Sequence, residues 1–246
     1  MPQGHLPKGE AKRPQSAYQS SGLSPTPPPT GEPATYGVYL TVKGLSAGRG
    51  GGRAFAGVDL AMAPGEAVIL RGANGAGKTT LLRAIAGLTP PTEGAADLSD
   101  KDGAPLSPAD TAAFAGHLDG LKPTLTARDN ARFWARLYGR ADADKAISAA
   151  FSALDIERLT DRPSGALSAG QRRRLGLCRV LIADRPLWLL DEPTASMDAA
   201  SAKTVVGLIE AHSAKGGSAL IATHDAINIK GARTVTMGAT SMGAPA

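Results

Sequence analysis

The run Gly72-Ala73-Asn74-Gly75-Ala76-Gly77-Lys78-Thr79 fits the pattern GxxxxGK[ST], with Thr80 following. Glycines at 75 and 77 let the backbone turn its N–H groups toward phosphate oxygens, and the loop opens into a helix N-terminus, which favours anions. Lys78 can reach β- and γ-phosphates. The Thr79 hydroxyl can coordinate Mg²⁺, and Thr80 can add a phosphate contact. Further along, "LWLLDEP" ends an apolar run in two acids. Asp191 at the strand end can hold Mg²⁺ through a water. Glu192 points the other way, as successive strand residues do, and could orient and deprotonate an attacking water. His224 closes a second apolar run, "SALIATHD", and can face the same γ-phosphate.

These groups need elements to hold them. "AVILRG" before the glycine loop reads as a short buried strand, and "KTTLLRAIAGL" after it as a helix burying Leu81, Leu82, Ile85 and Leu88. Tyr36, Val38, Leu40 and Val42 alternate with polar or small residues, as do Val58, Leu60 and Met62, which gives an N-terminal β element. The stretch from about 113 to 165 reads as a helical insertion. There Thr126 with Asp129 forms a capping-box pattern, Phe133, Trp134, Leu137 and Tyr138 make an apolar stripe, and a second helix covers 143–154. "LSAGQRRRLGLCRVLIAD" is a helix whose Leu175, Cys178, Leu181 and Ile182 share a face, so Cys178 is a core residue. Strands alternating with helices predict an α/β fold with a mainly parallel sheet, binding ligands at the carboxyl ends of its strands.

Composition narrows the partners. A length of 246 residues supports one medium domain. Residues 1–34, rich in Pro, Ser and Gly, read as a disordered tail, 35–240 as the folded domain, and 241–246 as a second tail. One cysteine excludes an internal disulfide and a CxxC pair, and no apolar run is long enough to span a bilayer. Without an apolar N-terminal signal the chain is expected in the cytoplasm. The net charge of +5 suits an anionic ligand or membrane surface, and with aromatics at 4% it gives no case for nucleic acid.

The order GANGAGKTT, LSAGQ, LLDEP, SMD, THD resembles the ATP-binding subunit of ABC transporters over about residues 36–235. LSAGQ is the specific element. Ser168 and Gln171 also fit a capping box, so helix capping alone accounts for that pair. The resemblance implies a P-loop NTPase core with an inserted helical subdomain, ATP and Mg²⁺ as ligands, and a head-to-tail homodimer. In it Ser168, Gly170 and Gln171 of one copy meet the γ-phosphate held by the other, with Asp198 of "SMD" across the same interface. His117 in "FAGHLDGLKPTLTARDN" stands where the family usually has glutamine. A histidine there can reach the γ-phosphate or a Mg²⁺-bound water. The aromatic that usually stacks on adenine is missing from "SAGRGGGRAF"; Arg49 or Arg53 could stack instead, and Phe55 comes too late.

These departures, with "GH..GLK..LTA..N..FW" and the arginines after LSAGQ, resemble the ATP-binding subunit of the bacterial cytochrome c maturation complex, or heme exporter. The resemblance implies an integral membrane permease partner and a peripheral place on the cytoplasmic face of the inner membrane. No direct heme binding is expected, since there is no CxxCH. An exporter of a drug, lipid or metal chelate shares every catalytic residue and stays open as the alternative. A DNA- or ribosome-acting relative would need coiled coils or a second ATP-binding half, for which the chain has no room. A non-hydrolysing regulator would need neither Glu192 nor His224.

Overall fold

The computed structural model describes residues 37–49 and 52–238. The expected tails, the expected domain limits and Tyr36 lie outside the described residues. Among these residues no helix is long and apolar enough to cross a membrane.

Two sheets make the frame. Strands β1 (Tyr39–Arg49), β2 (Gly52–Met62) and β4 (Glu93–Ser99) form an antiparallel sheet in the order β2-β1-β4. Strands β3 (Ala67–Arg71), β5 (Ala112–Ala115), β6 (Leu187–Asp191), β7 (Ser218–Ala222) and β8 (Arg233–Thr236) form a second sheet in the order β5-β6-β7-β3-β8. Every pair in it is parallel. Its three central strands, β6, β7 and β3, are apolar except for Asp191, Ser218 and Arg71 at their ends, because both faces are covered, which is what parallel sheets require.

Alternate residues of those strands feed two cores. Val68, Leu70, Leu187, Leu189 and Leu220 pack under the antiparallel sheet and α1 (Lys78–Ile85). Ile69, Trp188, Leu190, Ala219 and Ile221 pack under α3 (Ala127–Leu137), α4 (Ala143–Ala153), α5 (Ala169–Ala183) and α6 (Ala199–Ala214). A short helix, α2 (Pro108–Thr111), leads into β5.

Several expectations need correction. Helix α1 ends at Ile85, so Leu88 falls beyond its apolar face and is exposed. The segment 112–115 is a strand paired to β6, so the helical insertion begins after it. A four-residue alanine-rich strand carries no alternation to reveal it. The stripe on α3 divides: Trp134 is buried, while Phe133 and Leu137 are exposed. Thr126 does cap α3, accepting the Asp129 N–H at 3.1 Å, but its hydroxyl donates to Asp129 Oδ2 at 2.7 Å. The acid therefore holds the capping side chain rather than the backbone. Cys178 is fully buried in the second core, and burial pushes its thiol pKa well up.

Candidate active site

Strand β3 is hydrogen-bonded on both sides, so its carboxyl end is a fixed platform for the loop that follows. Gly72, Gly75 and Gly77 all take positive φ. Gly77 has a further constraint: a Cβ there would sit 2.7 Å from the carbonyl oxygen of Ala54 on β2. The loop can thus nest against the antiparallel sheet only with a bare backbone. Lys78 is buried, and its Nζ donates to the carbonyl oxygens of Gly72 at 2.8 Å and Ala73 at 3.1 Å. These bonds fold the ammonium back over the loop's concave side. Asn74, Gly75, Ala76, Gly77, Lys78, Thr79 and Thr80 line an open cleft.

The other walls of that cleft are Ala54, His117, Asp191 and Glu192. Asp191 closes β6, and its Oδ2 accepts the Thr79 hydroxyl at 2.8 Å. Two hard oxygen donors therefore meet beside the loop. Among the described residues there is no cluster of three or more His, Cys, Asp or Glu that could hold a metal ion. That donor set fits Mg²⁺, which binds through one or two protein oxygens and completes its shell with water and phosphate.

Glu192 does not point away from Asp191. Its φ is +50°, so strand alternation stops at Asp191 and the glutamate turns back along the end of β7. Its carboxylate accepts the Thr223 hydroxyl at 2.8 Å, the backbone N–H of His224 at 3.2 and 3.3 Å, and an N–H from His224 Nδ1 at 2.8 Å. The hydrogen bond to Glu192, and next the charge of that carboxylate, raise the His224 pKa above its ordinary value. His224 is exposed and reaches the site through Glu192; it is not one of the cleft-lining residues.

Ser168, Gly170, Gln171 and Asp198 form a second group away from the cleft lining. Ser168 and Gln171 complete a capping box on α5, with bonds of 3.0 and 3.3 Å. Asp198 caps α6 by accepting the Ser201 N–H at 2.7 Å, and that backbone bond lowers its pKa. The two helix starts touch: a Cβ on Gly170 would sit 2.7 Å from the Ser196 carbonyl oxygen.

Residues 55–195 match the family described as ABC transporter. The chain belongs to that family. This ABC ATPase is 46% identical over 199 residues to the "Cytochrome c biogenesis ATP-binding export protein CcmA" of Roseobacter denitrificans, covering 81% of this chain and 90% of that protein. The protein of the same name from Paracoccus denitrificans is also 46% identical, with coverage of 81% and 89%. Among solved structures, an ATP-binding subunit of an ABC transporter superposes with a TM-score of 0.66 at 26% identity, covering 75% of this chain and 79% of that one. A dimeric ATP-binding cassette in a post-hydrolysis state, bound to ADP and Pi, gives a TM-score of 0.67 at 25% identity, covering 76% and 88%. As an ABC ATPase the chain binds and hydrolyses ATP.

Sequence reasoning missed two site residues of this ATPase. Ala54 lines the cleft, within the stretch expected to supply the adenine-stacking side chain. Phe55 beside it is buried in the core, and Arg53 pairs with Glu93 at 3.0 Å. The side chain of Arg49 lies outside the described residues. Thr223, the residue before His224, holds Glu192 through its hydroxyl. It directly follows the apolar run of β7, as Glu192 follows Asp191 at the end of β6, and that position was the available signal.

Proposed function

We propose that this ATPase energises cytochrome c biogenesis, as a homodimer docked on a membrane permease. The observation that carries it is His117, on the cleft wall with Lys78 and Glu192, in a chain whose relatives at 46% identity carry that role in their names.

In this reading ATP lies along Gly72–Thr80. Backbone N–H groups and Lys78 hold its β- and γ-phosphates, and Thr80 adds a contact. Thr79 directly and Asp191 through a water would hold Mg²⁺, which would neutralise charge on the phosphate oxygens. Glu192 takes a proton from the attacking water. Thr223 and the His224 N–H groups orient that carboxylate, so its position is set before the water arrives. His117 reaches the γ-phosphate side from the loop after β5. In the dimer, the Ser168–Gln171 segment of a second copy closes over the nucleotide, and Asp198 lies across the same interface. Both helix starts are already rigid through their own caps.

The permease would sit on the helical insertion. Leu118, Phe133 and Leu137 are exposed there, with Leu121 and Leu125 half-buried beside them. Being peripheral to the inner membrane follows from that docking. A Phe133→Asp variant that still assembled with the permease at normal strength would count against this surface.

The decisive experiment is deletion of the gene followed by heme staining of covalent c-type cytochromes. Their loss, restored by the wild-type gene and not by Lys78→Ala, is expected. Undiminished c-type cytochromes would favour another exporter.

A further inference from the structure

We propose that Arg173 is a positioning residue that locks the hydrolytic glutamate and the His117 loop to helix α5. The inference rests on the reading of Glu192 as the base that activates water.

Arginines 172, 173 and 174 follow LSAGQ, and successive helical residues point about 100° apart. They consequently serve three different places. Arg172 donates to the Leu167 carbonyl oxygen at the start of its own helix. Arg174 donates to the carbonyl oxygens of Leu154 at 3.2 Å and Asp155 at 3.0 Å, just past the end of α4. Arg173 turns inward and is only 4% exposed.

The Arg173 guanidinium donates to four oxygens. Nη2 bonds the Asp191 carbonyl, Nε the Glu192 carbonyl at 3.1 Å, and Nη1 both the Gly116 carbonyl at 2.8 Å and Asp119 Oδ1 at 3.1 Å. One rigid plane thus holds the backbone of both acids and the two sides of His117, at Gly116 and Asp119. A second contact supports the same link. A Cβ on Gly176, one turn along α5, would sit 3.0 Å from Asp119 Oδ1, so the loop lies directly on the helix.

The arrangement needs arginine. Only its planar fork reaches acceptors in several directions at once; lysine offers three donors from one point. Glu192 also needs support, because its positive φ is a sparsely populated conformation for a residue with a Cβ. Since Ser168 caps α5, any movement of that helix start reaches Glu192 and His117 through the same side chain.

The test is ATP turnover by Arg173→Lys, alone and combined with Glu192→Gln, in the full-length chain under single-turnover conditions. Arg173→Lys is expected to lower the hydrolysis rate about ten-fold or more, with ATP affinity changed less than about three-fold. In the Glu192→Gln background the loss should be clearly smaller, because the part that runs through that carboxylate is gone and only the part that runs through His117 is left. Equal losses in both backgrounds, an unchanged rate, or matched losses of affinity and rate would each overturn the proposal. Normal turnover by Glu192→Gln alone would instead overturn the base assignment. Should Arg173→Lys fail to fold, Asp119→Ala releases the loop and keeps the backbone bonds. Its rate loss should vanish when His117→Ala is also present, and its persistence would overturn the link to His117.

Discussion

Acidification should expose one buried histidine. His212, on the last turn of α6, is 8% exposed and stacks on Trp188 of β6, with ring centroids 3.9 Å apart and planes 10° from parallel. Its Nε2–H donates to the Pro186 carbonyl oxygen at 3.1 Å. Burial, the largest influence, lowers its pKa from 6.5 to about 4. Between those values the unfolded chain binds a proton that the folded chain refuses. Stability is therefore complete above about pH 6.5 and falls as pH drops toward 4. At about pH 4.5 the loss from this one group is about 2.5 kcal/mol, at 1.36 kcal/mol per pH unit. His212→Gln keeps a neutral donor for Pro186 and cannot titrate. It should cost about 1 kcal/mol at pH 7.5, where the stacking is lost, yet be the more stable form at pH 4.5. Urea unfolding of both proteins at the two pH values measures the difference, and groups shared by both, His224 included, cancel. A stability difference that stays constant with pH would refute the reasoning.

Glu192→Gln should bind ATP normally and lose about 10²–10⁴-fold in turnover, the range for a general base. In the same variant the raised His224 pKa should fall back toward its ordinary value, read by NMR titration, because the carboxylate that raises it is gone. Gly77→Ala should abolish nucleotide binding in an equilibrium binding assay, since its methyl group would press on the Ala54 carbonyl at a φ of +89°. Cys178 should resist thiol reagents in the folded protein and react fully in denaturant, as burial both hides it and raises its pKa.

Motifs with fixed spacing were legible because their chemistry is local. The loop from Gly72 to Thr80 needs its glycines, lysine and threonines in one short run, and a strand must precede it and a helix follow. The Ser168 and Gln171 capping box is equally local and is present as read. Strands β3, β6 and β7 were visible because burial on both faces demands continuous apolar runs. Strands β4, β5 and β8 were not, since small or polar residues at a sheet edge or under a neighbouring sheet leave little pattern.

The sequence by itself determined the family, and it marked the glycine loop before α1 and the two acids at the end of β6 as candidates, because those depend on residue type at short range. Tertiary structure alone decided how they face one another. Glu192 looked set to diverge from Asp191, until a left-handed turn brought both carboxylates into one cleft. His224 acts from behind Glu192, because β7 ends beside β6 and puts its imidazole against that carboxylate. Three adjacent arginines read alike in the chain. Arg173 and Arg174 are both buried, and only the packing of α5 against β6 and the His117 loop aims Arg173 at the site, where four oxygens wait for the donors of a single guanidinium. Such convergence joins residues up to 57 positions apart, and no short-range pattern encodes it.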